Sequence, residues 1–494
     1  MKFIYVFGIV IFGFIDLNAQ TIHFLKSYGN TGYDYGRDIK QTTDTGYICT
    51  GSSSSFGSSD ADVFLMKVDS TGNFKWSYNY GGSGSEWGQE LVIVEDSTYA
   101  IGGYTNSFGA GGFDFYLVRA DIDGTPLWQK TYGGSDWEKC YGLGRIQADS
   151  GFVLVGETYS YGAGGRDVYI VRTNKFGDTL WTQTYGGTQD DYANSVLVDG
   201  DSIVICGGTE SSGMGMADGL IIKMGIDGNI GWTKVVGKAQ EDYFTSIVKR
   251  NFYYTLGGTK SYTFSTDLND FWVYKIYTNG TIVMADTTWD GDQLGHDIVN
   301  DVVMEPTIDV VYYGGSTTSW GSSDVTSGIT DCFISKLDPG YGWLPYIQNF
   351  GDVGSDALYA MEFCFDDGLI AIGDLEKYST GGNNLMIVKI DKNNTFGFIT
   401  LQDEIVIENI TLSSESILNN EVRLSVYPNP TSNELRIVGT KFIEMILVYN
   451  LKGQLIMQIN NPEDNIDLTE LNAGHFFFEF ISSDGVETIQ VIKL

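Results

Sequence analysis

Short apolar runs alternate with polar, glycine-rich breaks along this chain, and the alternation repeats over a long period. Tyr47–Gly51, Tyr99–Gly103, Phe152–Gly156 and Ile203–Gly208 are such runs, and each ends in glycine. Runs this short, bounded by turn residues, read as strands. A Tyr-Gly-Gly anchor sits at Tyr80-Gly81-Gly82, Tyr132-Gly133-Gly134 and Tyr185-Gly186-Gly187. Degenerate copies lie at Tyr28-Gly29, Val236-Gly237 and Phe350-Gly351, with one more near Trp289. Successive anchors are 52, 52, 53, 51, 53 and 61 residues apart.

Two further markers keep the same register. An acidic residue is followed five positions later by a basic one, as in Asp62/Lys67, Asp114/Arg119 and Asp167/Arg172; in the seventh repeat the pair is Asn384/Lys389. Four residues before the anchor stands a large side chain: Phe24, Trp76, Trp128, Trp181 or Trp232 in the clearest copies. A fixed period of this length marks a repeat architecture.

Each repeat reads as four strands. Strand A follows the anchor, as in Gly36–Thr42 and Ala193–Val198. Strand B is the apolar run ending in glycine. Strand C covers Asp62–Asp69, Asp114–Asp121 or Asp167–Thr173, with polar and apolar positions alternating. Strand D carries the aromatic marker into the next anchor. Turns such as Asp121-Ile122-Asp123-Gly124 suit a C–D hairpin, because Asp, Asn and Gly tolerate positive φ. Four antiparallel strands repeated seven times predict an all-β, seven-bladed β-propeller. Ile22–Tyr28 is a D-type strand with no A, B or C before it, so it is expected to pair with Leu385–Asp391 and close the ring; Thr395–Leu401 is the competing closing strand.

Composition narrows the picture. Gly is 63 and Pro only 7 of 494 residues, which suits many tight turns and excludes a Pro-rich disordered chain. Lys+Arg is 29 and Asp+Glu 63, so the net charge is −34, and nucleic acid and anionic membranes are repelled. Residues 1–19 read as a signal peptide, with Lys2, an uncharged run Phe3–Ile15 and a small-residue site ending at Ala19. That run is too short for a membrane span, and no other segment is long enough. The five Cys (49, 140, 206, 332 and 364) are widely spaced and read as buried free thiols. The expected layout is therefore a signal peptide 1–19, a propeller 20–401, a linker 402–421 and a small C-terminal β-sandwich 422–494.

Two resemblances follow from particular residues. Tyr185-Gly186-Gly187-Thr188-Gln189-Asp190-Asp191-Tyr192-Ala193 resembles the bacterial SBBP-type β-propeller repeat, and the likeness extends over about residues 22–401. It implies a fold and no activity. Leu424–Thr431, Val448–Gln454, Ile466–Gly474 and Gln490–Leu494 resemble the C-terminal sorting domain of Bacteroidetes proteins exported by the type IX system. That resemblance implies the type IX machinery as a partner of 422–494, passage through the periplasm, and a secreted or cell-surface location.

Catalytic signatures are absent. Three His, no Cys/His cluster and no Gly-x-Ser-x-Gly elbow leave no triad or zinc site to argue from. An acidic residue recurs six positions after the anchor: Asp34, Glu86, Glu138, Asp191, Asp242 and Asp356, with Asp297 one residue off. These carboxylates are expected to bond loop amides or pair with the repeated Lys/Arg; calcium is the competing reading. No cofactor is implied, and no acidic pair is seen outside the repeated positions. The B–C and D–A loops emerge at one end of the blades and vary most. They place aromatics in polar settings: Phe56, Phe108, Tyr161 and Trp320 in B–C loops, Trp87 and Trp137 in D–A loops. Trp87, Phe108, Trp137, Tyr161 and Trp320 are the candidate ligand-binding residues, for a glycan or a surface protein. The expected function is a non-catalytic binding module. The alternatives are a polysaccharide hydrolase or lyase using loop-face carboxylates, and a purely structural surface protein.

Overall fold

The computed structural model describes residues 24–390, other than 30–31, 56–59, 95–97, 239, 262–268, 289–294, 308–309, 319–329, 338–345, 351–353 and 378–381. It also describes 425–493, other than 428–433, 439–442, 451–454, 461, 463–464, 470 and 483–484. Every regular element among these residues is a strand. Seven four-stranded antiparallel sheets account for residues 24–390, which is a β-propeller of seven blades. The inner A strands are Asp34–Gln41, Glu86–Ile93, Glu138–Arg145, Asp191–Asp199, Asp242–Arg250, Asp297–Met304 and Ala357–Phe363. Each packs on the blade before it, and Asp34–Gln41 packs on the last sheet, so the ring is closed.

The closing strand is Phe24–Tyr28. It pairs antiparallel with Gly382–Ile390, from Phe24 opposite Lys389 to Tyr28 opposite Leu385. This is the predicted closure; the competing strand, 395–401, lies outside the described residues. The seam has a second fastening, since Gln41 N donates to Glu362 Oε2 at 2.5 Å and Phe365 N to Gln41 Oε1 at 2.6 Å.

Strand C differs from expectation in one respect. Asp62–Val68, Asp114–Ala120 and Asp167–Thr173 are buried at every position, where alternation was predicted. A blade has neighbours on both faces, so its middle strands have no solvent side. The inner A strands, facing the channel, and the outer D strands keep partly exposed positions, as Asp34–Gln41 and Phe74–Tyr80 do.

The markers now have physical causes. All seven A strands carry a bulge at the same point, for example between Gly36 and Asp38 and between Gly88 and Glu90. The bulge pushes the preceding carbonyl toward strand B. A Cβ on Gly51, Gly103, Gly156, Gly207, Gly258, Gly315 or Gly373 would collide with the oxygen of Tyr35, Trp87, Lys139, Tyr192, Tyr243, Ile298 or Ala357 respectively. That collision fixes the glycine in strand B. The aromatic marker wedges between blades: Phe24, Trp76, Trp128, Trp181 and Trp232 each lie against the positive-φ glycine of the next C–D turn, Gly72, Gly124, Gly177, Gly228 and Gly280. The anchor tyrosine bonds the same turn, with Tyr80 Oη donating to Gly124 O at 2.6 Å and Tyr132 Oη to Gly177 O at 2.7 Å.

The repeated cation does not pair with the repeated carboxylate as expected. Lys67, Arg172 and Lys389 reach the opposite end of the blade and meet Asp44, Asp149 and Asp366 of the A–B turns. The repeated carboxylates open strand A at the end where strand C begins. The cation lies five residues, about 16 Å, further along C, which puts the two at opposite ends. The five Cys are buried free thiols.

Residues 425–493 form two further sheets. One holds Ser425–Tyr427, Glu434–Val438 and Asn465–Asp467; the other orders Leu455–Asn460, Ile443–Asn450, Gly474–Ser482 and Gly485–Lys493. Leu435, Ile446, Val448, Ile466, Leu468, Phe478, Phe480 and Val491 fill the core between them.

Two stability outcomes follow. Deleting Gln20–Tyr28 strips a ladder and bares a sheet edge; the truncated chain melts lower and oligomerises on a sizing column. Gly103→Ala forces a Cβ into the Trp87 carbonyl and lowers stability by about 1–3 kcal/mol, measured by denaturant unfolding.

Candidate functional site

The antiparallel order places the start of A, the end of B, the start of C and the end of D at one end of every blade. In the second blade these are Glu86, Thr105, Asp114 and Tyr132. The repeated carboxylates fasten the loops there. Glu86 accepts from Gly82 N at 2.9 Å and Thr105 Oγ1 at 2.6 Å. Glu138 accepts from Gly134 N and Thr158 Oγ1, both at 2.7 Å. Asp191 accepts from Gly187 N at 2.8 Å and Ser211 Oγ at 2.6 Å. The strand-C carboxylates hold the B–C loops: Asp114 accepts from Ala110 N at 3.1 Å, Asp167 from Ala163 N and Asp218 from Met214 N, both at 2.8 Å. The amide-bonding part of the sequence expectation thus describes them. Gly133 lies between Asp114 and Glu138, where a Cβ would strike both carboxylates, which explains the anchor glycine. Burial, and then the facing Glu138 charge, raises Asp114 above the ordinary carboxylate value. Among the described residues no three Asp, Glu, His or Cys groups are arranged to hold a metal ion.

Between the fastened loops runs a band of rings. Tyr33 stacks on Tyr35 at 6.3 Å, Tyr35 meets Trp87 at 5.7 Å, and Trp87 stacks on Tyr104 at 6.3 Å. Tyr104 continues to Phe113 at 5.3 Å and Tyr141 at 6.1 Å, and Phe113 to Trp137 at 5.5 Å. The band crosses three blades without a break. Tyr33 and Trp137 are exposed, at 52% and 47%, while Tyr35, Trp87 and Tyr104 are half-buried. Charged groups border it. Lys139 Nζ stands 5.4 Å over Trp137 and 5.8 Å over both Tyr104 and Phe113. Arg37 lies 3.8 Å over Tyr359 and 5.8 Å over Tyr35. Tyr141 Oη donates to Glu157 at 3.2 Å, and Arg166 bridges Glu157 at 2.6 Å and Asp190 at 3.1 Å.

The structure divides the five candidate residues. Trp87 and Trp137 belong to the band. Phe108 and Tyr161 do not. Phe108 leans on Tyr116 and lies over Gly82, and Tyr161 leans on Tyr169 and donates to Gly133 O at 3.0 Å. Trp320, like Phe56, lies outside the described residues.

Below the mouth the A strands line a channel holding carboxylates the sequence reading overlooked. Asp38, Glu90 and Asp301 occupy the position just past the bulge, and each spans to the next blade. They accept from Leu91 N at 2.8 Å, Leu143 N at 2.7 Å and Met361 N at 2.8 Å. Lys40 pairs with Asp38 at 2.8 Å, and Glu362, two residues past Ala360 on the last inner strand, accepts from Gln41 N. A strand rises about 3.3 Å per residue, so Glu90 lies about 13 Å below Glu86. Glu90 and Asp301 are half-exposed to the lumen yet enclosed by protein. Burial, and then the Asp38 charge, raises Glu90; burial pushes Asp301 up to about 6. Burial alone would lower Lys40, but Asp38 and Glu362 hold it above its ordinary value. The clue was periodicity: at this position four blades carry Gly142, Ser195, Ser246 and Ala360, so the acids break the repeat. The band had a weaker clue, because Tyr35, Lys139 and Tyr104 stand beside markers and read as strand residues.

Residues 425–493 match the family described as the secretion system C-terminal sorting domain. The chain is 23% identical over 185 residues to the regulatory protein FlaEY of Caulobacter vibrioides, a match covering 32% of this chain and 19% of that protein. It is similar in structure to PorZ, a surface component of the type IX secretion system of Porphyromonas gingivalis, with 10% identity and a TM-score of 0.39 over 92% of this chain and 59% of PorZ. It is also similar to the β-propeller domain of the Trilobed protease of Pyrococcus furiosus, with 10% identity and a TM-score of 0.40 over 72% of this chain and 93% of that domain. No helix among the described residues is long and apolar enough to cross a membrane.

The channel makes stability depend on pH. Asp301 and Glu90 are raised in the folded state, so their contribution is full below the unfolded value near pH 4 and is lost as pH climbs through the folded one. The melting temperature therefore falls from pH 5 to pH 8. Glu90→Gln, which keeps an acceptor for Leu143 N, flattens that fall and melts a few degrees higher than the parent at pH 8.

Proposed function

We propose that this chain is an exported surface protein whose propeller binds a carbohydrate chain across the aromatic mouth of its channel. Export rests on the sorting domain, which directs the protein to the cell surface or the medium by the type IX route. In this reading residues 1–19 are the signal peptide, 20–401 the propeller, 402–421 the linker and 422–494 the sorting signal.

The observation that carries the binding reading is the unbroken run of rings from Tyr33 through Trp87 and Tyr104 to Trp137. Sugar rings present C–H faces that stack on aromatics and hydroxyls that need polar partners. The band offers both, since Tyr141, Glu157 and Arg166 border it. Its rings already touch one another, so little side-chain freedom is lost on binding. The hydrolase or lyase reading draws less support. The loop-face carboxylates accept backbone N–H and hydroxyl bonds, so they are engaged by the scaffold.

A glycan screen of the purified chain tests this. Trp137→Ala weakens the binding found by about 10-fold or more and leaves the melting temperature within about 2 °C; Trp87→Ala weakens binding similarly but lowers the melting temperature further. Lost stability with intact binding would return both rings to the scaffold. Deleting Val422–Leu494 holds the protein in the periplasm, read by fractionation; unchanged release into the medium would refute the export assignment.

A further inference from the structure

Acidic residues outnumber basic ones 63 to 29, and several cations meet a carboxylate. Lys67, Lys130, Arg166, Arg172, Lys249 and Lys389 all make ion pairs. Lys26 meets Asn73 Oδ1, Lys223 meets Thr278 O and Lys336 lies over Tyr312, with no ion pair among the described residues. Lys139 and Arg37 also make none there, and these two stand at the mouth. Lys139 is held instead by the three ring faces of Tyr104, Phe113 and Trp137. Arg37 stacks on Tyr359 and hydrogen-bonds its hydroxyl. Burial raises Asp374, and the Arg37 charge is the foremost influence lowering it, without an ion pair; the Arg37 Nε is buried with no hydrogen-bond acceptor. Both also border Tyr104, since the Arg37 charge acts on the Tyr104 hydroxyl. A ring face attracts an ammonium without consuming its N–H donors, so a stacked Lys still has donors to give.

We propose that the mouth selects an acidic glycan: a pyranose chain carrying carboxylate or sulfate groups. Trp137 and Trp87 stack the sugar faces, and Lys139 and Arg37 receive the anionic group. The proposal rests on the carbohydrate reading above and deepens it. Net charge argues for such a device. A chain at −34 repels a polyanion at long range, and at 0.15 M salt that field is screened beyond about 8 Å. Recognition of an acidic polymer then requires cations at contact range that the protein's own carboxylates have not taken. A neutral glycan requires none.

The test is calorimetric titration of the full chain at 0.15 M salt with three hexasaccharides: an oligogalacturonate, a sulfated galactan and a neutral cello-oligosaccharide. One or both acidic oligomers bind at least 10-fold more tightly than the neutral one, and the better of the two identifies carboxylate or sulfate as the group read. Lys139→Met cuts that affinity about 10-fold and lowers the neutral oligomer's by much less, and Lys139→Arg retains binding. Lys130→Met, which removes the same charge beside Asp178 of a C–D turn, changes nothing. Equal affinity for acidic and neutral oligomers, or an equal loss of both in Lys139→Met, overturns the acidic selectivity and leaves carbohydrate binding standing. Failure of all three to bind overturns both.

Discussion

The collision between a strand-A carbonyl and the space above a strand-B glycine is the constraint on which the rest of the propeller depends. The bulge that creates it occurs in all seven blades, at Arg37, Gln89, Tyr141, Asn194, Thr245, Asn300 and Tyr359. A bulge adds one residue and sharpens the local twist. Here it splits each inner strand into a loop end and a channel end. Residues before the bulge hold the loops. Residues after it face the neighbouring blade around the lumen.

That division organises both polar systems. Above the bulge, Glu86, Glu138 and Asp191 take up loop amides that would otherwise be unsatisfied. The loops are rich in glycine and could not hold their shape without those bonds. At and below the bulge, side chains bridge one blade to the next. Asn194 donates to Phe244 O at 2.7 Å, Thr245 to Val299 O at 2.6 Å, and Asn300 to Leu358 O at 2.7 Å. Asp38, Glu90 and Asp301 accept the reciprocal kind of bond. The ring is thus laced by polar bonds near its axis and wedged by Trp near its rim. Closure by Phe24–Tyr28 lets the lacing pass from the last blade to the first, where Gln41 N donates to Glu362.

A fastened loop face also gives the aromatic band a rigid support. Trp137 sits one residue before Glu138, and Trp87 one after Glu86, so the carboxylates that hold the loops also position the rings. The proposed binding surface is in that sense a by-product of the scaffold's own repeat. Its individuality lies in what the repeat leaves open: Trp87 stands where other blades have Tyr35, Lys139, Tyr192 or Tyr243.

Much of this was legible in the chain itself. Blade number, strand order, the closing strand and the sorting domain follow from short-range patterns repeated at a fixed interval, and repetition turns weak local signals into a firm one. The strand-B glycine, the anchor glycine and the aromatic marker were visible as letters before their causes were. What the tertiary structure decided is everything that depends on which blades meet. Strand C lost its expected alternation because both faces are covered. The repeated cations found Asp44, Asp149 and Asp366 rather than the acids six positions after the anchor. Asp38, Glu90 and Asp301, separated by up to 263 positions, gathered in one lumen, and rings from three blades joined into one band. A sequence period specifies what each blade is made of. Only ring closure brings distant blades face to face, and sites at the axis and the mouth exist only once that has happened.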